Sequence, residues 1–427
     1  MSGAPSLPAD CAFRTDAVPP AEASQPWALV VLLVSETYVP DANGAAYFLD
    51  RLAHGIADRG HEVHIACPGP AGADPRSHGR VTVHRMPSWP IPGYPQTRIG
   101  SPVRARRHLR ALIDELRPDV VHVQNHFVLG RLAVAVSRRS GIPVVATNHF
   151  LPENFTSFVA WLPRVLTRAV EAVLWRGVRR VYRHAAVVTA PTSYAAALTA
   201  RRAHIPAVAP ISCGVDLRAF APDGAAEAFR VRRGIPARPT LLHVGRLDPD
   251  KHVEDLIRAL GLVRRRHDAQ LVIVGRGRLL ARLRAQARQL GLAEHVHLCG
   301  FVEDADLRGA YEAADIYCNA GAAELQSIST LEAMAAHKPV LAADAHALPL
   351  LVRDGANGYL FKPGDVVDLA RLAAELLDDP ARCRAMGAAS GRVVAAHDLG
   401  ATVGSFEALY RDTSAAPVPG PVRARPR

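Results

Sequence analysis

From Ala28 to Asp379 the sequence alternates short apolar runs with longer stretches in which apolar residues recur every third or fourth position. Short runs suit strands buried on both faces, and the longer stretches suit amphipathic helices that cover them. A chain that sustains this alternation has one architectural class open to it, an α/β fold whose helices cross between parallel strands. At 427 residues, 49% of them hydrophobic, it has material for two domains with substantial cores. In the N-terminal half the spacing predicts strands at 28–35, 62–67, 81–85, 119–123, 143–147 and 186–190. The expected organisation is a domain over 28–205, a proline-punctuated linker over 206–221, a second domain over 222–380 and helices over 381–411. The Pro/Ala-rich ends, 1–27 and 412–427, read as disordered tails. The first lacks the apolar core of a signal peptide, and no apolar run reaches the roughly 20 residues that span a bilayer.

Two segments carry the chemistry. In Glu324-Leu-Gln-Ser-Ile-Ser-Thr-Leu-Glu332, Ser327 and Ser329 are good N-cap residues, and Leu331, Met334 and Ala335 keep helical spacing, so a helix is expected to start near Ile328. Its first amides, at the positive end of the helix dipole, would make a pocket for a diphosphate. Glu324 before the helix and Glu332 one turn inside it would then accept hydrogen bonds from hydroxyls on either side of that phosphate. Two ordinary surface glutamates would also fit this segment taken alone. The second segment, Thr240-Leu-Leu-His-Val-Gly245, reads as a buried strand. It is followed by the loop Arg246-Leu-Asp-Pro-Asp-Lys251 and an amphipathic helix over 253–264. In a doubly wound sheet ligands sit at the carboxyl ends of strands, so Arg246 and Lys251 would project toward the same edge as the amides at 328. A guanidinium fork plus an ammonium is an anion clamp, and Gly245 lets backbone come close.

Together these segments resemble the retaining GT-B glycosyltransferases of family four, in which a Gly-Arg…Lys loop and a Glu-x7-Glu segment grip the donor. Gly245, Arg246, Lys251, Glu324 and Glu332 supply the match. The resemblance covers about 28 to about 411. Val-Pro-Asp-Ala-Asn-Gly-Ala-Ala at 39–46 looks like the family's N-terminal glycine loop, Gly-His-Glu-Val at 60–63 like its helix-to-strand joint, and Ile-Ser-Cys-Gly-Val-Asp at 211–216 like its interdomain segment. Gly-Phe-Val at 300–302 and Asn-Gly-Tyr-Leu-Phe at 357–361 stand in the expected order. Where many members have Phe-Gly after the first glutamate, this chain has Leu325-Gln326-Ser327. That sequence, with Thr-Asn-His-Phe-Leu-Pro-Glu-Asn at 147–154, is closer to the branch that glycosylates diacylglycerol-type and phosphoinositide-type lipids. Gln124 stands where the family often carries an active-site histidine, and His126 is the residue that would take its place.

The resemblance implies the GT-B architecture, two Rossmann-like doubly wound parallel-sheet domains facing a central cleft, with 28–205 on the acceptor side, 222–380 binding the nucleotide sugar and 381–411 crossing back. It also implies transfer of mannose or glucose from GDP-mannose or UDP-glucose to a membrane-associated lipid or glycolipid, with no bound cofactor and no metal. Arg246, Lys251 and the amides near Ser327, Ile328 and Ser329 would stabilise the leaving diphosphate, Glu332 would hold the ribose and Glu324 the transferred sugar. Asn43 and Gly44 would approach the phosphate from the other domain, and Arg276 and Val302 would flank the base. Arg246, Lys251, Glu324 and His126 are the catalytic candidates, and Gln124, His126 and His149 would orient the acceptor. A small soluble acceptor, or a nucleotide-sugar-binding paralogue without transfer activity, remains open at this point.

Charge bears on the acceptor. Residues 1–205 hold 23 arginines against 14 acids, whereas 206–427 hold 28 cations against 26 acids, so the N-terminal domain carries nearly all the excess. The arginine-rich amphipathic stretches 103–117 and 164–184, the second near Trp161 and Trp175, suit the anionic inner face of a cell membrane, with the protein peripheral and cytoplasmic. A chain with 48 arginines and 3 lysines would also show such stretches by composition alone. No nucleic-acid module accompanies the charge. Six scattered cysteines without a C-x-x-C pair point to reduced thiols. Asp248-Pro-Asp250 has the form of a metal-binding D-x-D, but it sits in a loop already cationic. His122 and His126 have no third zinc ligand nearby in sequence, Val274-Gly-Arg-Gly277 lacks the third glycine of a dinucleotide fingerprint, and no G-x-S-x-G elbow occurs.

Overall fold

The computed structural model describes residues 28–41, 43–69, 76–91, 94–152 and 163–416. Strand β1 (Val30–Val34) shows why the strands are apolar throughout. Val31 and Leu33 pack on one side with Phe48, Leu49 and Phe406, while Leu32 and Val34 pack on the other with Leu109, Val121 and Leu129. Alternate side chains face opposite ways, so five consecutive apolar residues fill both faces of the sheet at once.

The first sheet runs in the order β3 (Arg76–His78), β4 (Val81–Ile91), β2 (Glu62–Gly69), β1, β6 (Val120–Val123), β7 (Val144–Thr147), β8 (Val187–Ala190), β9 (Ala209–Pro210), with β5 (Tyr94–Gly100) paired to β4. Its central strands are parallel, and only β3 and β5 run antiparallel to β4. The second sheet is parallel throughout, in the order β12 (Val296–Gly300), β11 (Gln270–Val274), β10 (Thr240–Val244), β13 (Ile316–Asn319), β14 (Val340–Ala343), β15 (Gly358–Phe361). In both sheets the order reverses around the first strand, so each has a switch point where loops diverge and leave a crevice. This is the GT-B arrangement.

Three differences from the sequence reading have physical causes. Strand β4 runs on to Ile91, and β5 returns on it with Ser88 opposite Gly100. Pro87, Pro90 and Pro95 argue against strands here, and the pair tolerates them because it lies toward an edge. The stretch read as linker begins inside the first sheet, where Ala209 and Pro210 pair with β8. Trp175, read as lying near a lipid-facing helix, is 3% exposed and packs in the core. It is therefore no interfacial anchor, and Trp161 lies outside the described residues.

The helices that bear on the site are α1 (Gly44–Asp58), α2 (Pro102–Leu116), α3 (Val128–Arg139), α4 (Arg164–Tyr182), α5 (Val253–Val263), α6 (Asp304–Ala313), α7 (Ile328–Ala335), α8 (Pro380–Val394) and α9 (Leu399–Ala415). Asn43 caps α1 by accepting from the Ala46 amide at 3.0 Å, and Ser327 caps α7 by accepting from the Thr330 amide at 3.3 Å. Helix α8 packs on α7, whereas α9 packs on α1, β6 and β7. Phe406 and Tyr410 of α9 are fully buried in the N-terminal core, and the Tyr410 hydroxyl lies 2.6 Å from His122 Nδ1. Burying two aromatic side chains contributes roughly 1.5–3 kcal/mol each, enough to hold the last helix on the first domain.

Candidate active site

At the carboxyl ends of β10, β11 and β13 the chain surrounds a cavity of about 200 Å³. One wall is α1, which presents Asn43, Gly44, Tyr47 and Arg51 at helical spacing. The opposite wall is the second domain: His243 near the end of β10, Gly245, Arg246 and Lys251 after it, Arg276 after β11, Phe301, Val302 and Asp304 after β12, then Asn319, Glu324 and the first turns of α7. All twelve residues read from the sequence as donor-binding, Asn43, Gly44, Gly245, Arg246, Lys251, Arg276, Val302, Glu324, Ser327, Ile328, Ser329 and Glu332, line this one cavity. Gly44 meets α7 closely, since a Cβ there would lie 3.4 Å from Ile328 Cδ1.

The charged groups are already paired. Lys251 Nζ donates to Glu324 Oε1 at 2.7 Å and stands 3.6 Å from Asp250. Arg246 donates to Asp248 and, at 3.1 Å, to Asp250. Asp248 and Asp250 thus serve as counter-ions that aim the guanidinium, which is the use this loop makes of its D-x-D pattern. Among the described residues no group of three or more His, Cys, Asp or Glu side chains gathers to hold a metal. Glu332 is held from both domains: Arg51 Nη2 donates to one oxygen at 2.8 Å and the Tyr311 hydroxyl to the other at 3.0 Å. Burial opposes the charge on Arg51, but Glu332 outweighs it and raises the guanidinium pKa above its ordinary value. Of the α7 amides, that of Thr330 is taken by the Ser327 side chain and that of Leu331 by the Ser327 carbonyl. Those of Ile328 and Ser329, in the cavity wall, have no acceptor within the helix and carry the positive end of its dipole.

The acceptor candidates do not line this cavity. His149 Nε2 lies 2.9 Å from Gln124 Oε1, and Gln124 Nε2 lies 3.2 Å from His122 Nε2, in a buried chain that ends on Tyr410. The His149 ring packs on Phe48 of α1 with centroids 4.9 Å apart. His126, read as the stand-in for the missing histidine, is turned into an aromatic cluster, 4.5 Å from Phe127 and 5.0 Å from Phe150 between centroids. Burial pushes both His126 and His149 down to about 4, so both are neutral at pH 7. Sequence reasoning missed Arg51, Tyr47, His243 and Asp304. Arg51 gave no signal, because its partner lies far away in the chain. His243, an imidazole within an otherwise largely apolar strand, did give one.

Residues 42–219 match the family model described as Glycosyltransferase Family 4, and 226–392 match Glycosyl transferases group 1. A GDP-mannose-dependent alpha-mannosyltransferase of Mycolicibacterium smegmatis is 32% identical over 334 residues, covering 77% of this chain and 84% of that protein. A GDP-mannose-dependent alpha-(1-6)-phosphatidylinositol monomannoside mannosyltransferase of the same organism is 30% identical over 381 residues, covering 84% and 92%. Among solved structures, a sucrose-phosphate synthase from Thermosynechococcus elongatus superposes with a TM-score of 0.78 at 21% identity, over 90% of this chain and 98% of that one.

Proposed function

This chain belongs to the glycosyltransferases of group 1 and family 4, and from that premise we propose a hexosyltransferase that carries mannose or glucose from a nucleotide diphosphate sugar to a membrane-associated lipid or glycolipid, with retention at the anomeric carbon. The observation that carries this reading is the convergence of two cations, a helix N-terminus and two carboxylates on one cavity closed by the opposite domain. A diphosphate takes the place of the carboxylates now paired with Arg246 and Lys251, and Glu324 is released toward the sugar. Glu332 receives the ribose hydroxyls. The acceptor hydroxyl forms its bond to the anomeric carbon on the face from which the diphosphate leaves. The carbon–oxygen bond to phosphate breaks, and the hydroxyl proton passes to the departing phosphate oxygen. Arg246, Lys251 and the amides of Ile328 and Ser329 stabilise the charge that grows there. Because that charge is met by fixed cations, the reading needs neither a divalent metal nor an enzymic nucleophile.

GDP-mannose is the proposed donor, supported by the mannosyltransferases above. A lipid acceptor is supported by the phosphatidylinositol named in one of them and by the surface of the first domain. No described helix is long and apolar enough to cross a membrane. Helix α4 instead exposes Val165, Leu166 and Val173 beside Arg168, Arg176, Arg179 and Arg180, and α2 exposes Arg104, Arg106, Arg107 and Arg110. Apolar residues flanked by arginine suit an anionic lipid surface, and we place this face against the cytoplasmic leaflet.

The test is thermal stabilisation by GDP, UDP, ADP and their sugars, because a ligand that binds the folded state raises its melting temperature. A shift selective for GDP and GDP-mannose supports the reading. No shift with any nucleotide would overturn it.

A further inference from the structure

We propose that His243 accepts a hydrogen bond from a hydroxyl of the transferred hexose, and so helps determine which sugar the donor site takes. The proposal rests on the donor-site reading above and adds a residue to it. His243 is the fourth residue of β10, is 1% exposed and forms part of the cavity wall. Its Nδ1 lies 3.1 Å from the Cys318 carbonyl oxygen. A carbonyl only accepts, so Nδ1 carries the hydrogen and Nε2 presents a bare lone pair. That Nε2 is buried and has no hydrogen-bond partner among the described residues. A buried acceptor left unsatisfied is destabilising, and a polar residue kept in that state in a largely apolar strand calls for a use.

The surroundings say which chemical group would meet it. A Cβ on Gly245 would come within 3.3 Å of Nε2, so the bare glycine keeps that nitrogen uncrowded. Lys251 is near enough to disfavour protonation of His243, and its ammonium is held by Glu324. Asn319 Oδ1 and Glu324 Oε1 both stand close to Gly321, at 3.0 and 3.2 Å from the position of a Cβ there. His243 therefore stands near Lys251, the cation that Glu324 holds, and beside β13 through the Cys318 carbonyl. Unprotonated phosphate oxygens offer only lone pairs and cannot satisfy another acceptor. A sugar hydroxyl can donate to Nε2. Burial, with Lys251 adding to it against the pull of the Cys318 carbonyl, pushes the imidazole down to about 4, so it remains an acceptor at neutral pH.

The experiment compares affinities for a bare nucleotide and its sugar. GDP, GDP-mannose, UDP and UDP-glucose are titrated into the wild-type protein, His243→Phe, His243→Leu and His243→Gln. One neutral hydrogen bond is worth about 0.5–1.5 kcal/mol, which converts to roughly two- to twelvefold in affinity. The Phe and Leu variants should lose that factor in the ratio of sugar-nucleotide to bare-nucleotide affinity. His243→Gln, whose amide oxygen can reach the same place, should restore part of it. A ratio unchanged in both apolar variants, or equal losses for both ligands, would overturn the assignment. A wild-type protein that binds the bare nucleotide but gains nothing from the sugar would overturn it while leaving the nucleotide site standing. One that binds none of the four would sink the donor-site reading itself.

Discussion

Arg246 owes its posture to two acids. With Asp248 and Asp250 on its guanidinium, the side chain is held in the cavity wall by partners that the proposed diphosphate would outcompete, since phosphate brings more charge and fits the fork bidentately. Glu332, gripped by Arg51 and Tyr311, is a buried carboxylate with both oxygens in use. We expect Arg246→Ala and Glu332→Ala each to lower kcat/KM by at least about a hundredfold, roughly 2.7 kcal/mol of transition-state stabilisation, while circular dichroism shows an unchanged fold. Near-wild-type transfer in both variants would contradict the site. These residues were legible in the sequence because each sits at a recognisable joint, Arg246 after a strand and glycine, Glu332 in the first turns of a capped helix. Arg51 was not, since nothing in its own segment announces a partner on the other side of the cleft. Gln124 was legible as a departure, but its bond to His149 depends on two strands lying side by side.

At the scale of elements, α9 ties the end of the chain to the first domain, and Glu407 is its polar fastener. Burial pushes this carboxyl up, but hydrogen bonds from Arg59, His61 and Arg411 outweigh it and hold it at about 2. A carboxyl whose folded pKa is depressed adds stability above its ordinary pKa of 4.5 and loses it as the pH falls toward 2. Glu407→Gln should therefore lower the melting temperature at pH 7 and narrow its gap to wild type as the pH drops from 4.5 to 2, read by calorimetry. A gap that does not change over that window would contradict the role. Helix α4 makes a second prediction. Replacing Arg176 and Arg180 with Glu should weaken sedimentation with phosphatidylglycerol vesicles by about tenfold at low salt, while binding to neutral phosphatidylcholine stays weak in both proteins. The alternating strands and helices were readable from apolar spacing, which local sequence encodes directly. Strand β5 was hidden by prolines, and Trp175 was misplaced because the face a helix buries is chosen by its neighbours, here the core that holds Tyr182 and Val178.

The whole molecule is two parallel-sheet domains whose facing edges supply one cavity, bridged by the Arg51–Glu332 ion pair, with α9 packed on the first domain. Its core also carries histidines that are neutral in the folded state: burial pushes His126, His149 and His243 down to about 4 and His122 to about 3. For a depressed histidine the unfolded chain takes up protons first, so stability falls as the pH drops below about 6.5 and goes on falling to about 4. Each such group costs on the order of 1 kcal/mol per pH unit in that window. The denaturant midpoint should decline steadily between pH 6.5 and 4, and a flat profile there would contradict the buried, uncharged state of these rings. Transfer itself is read by supplying labelled GDP-mannose or UDP-glucose with vesicles containing phosphatidylinositol and diacylglycerol and counting label in the extracted lipid. Lipid-borne label should come from GDP-mannose and be abolished by Arg246→Ala. Release of nucleotide from neither donor, with no label in any lipid, would contradict it.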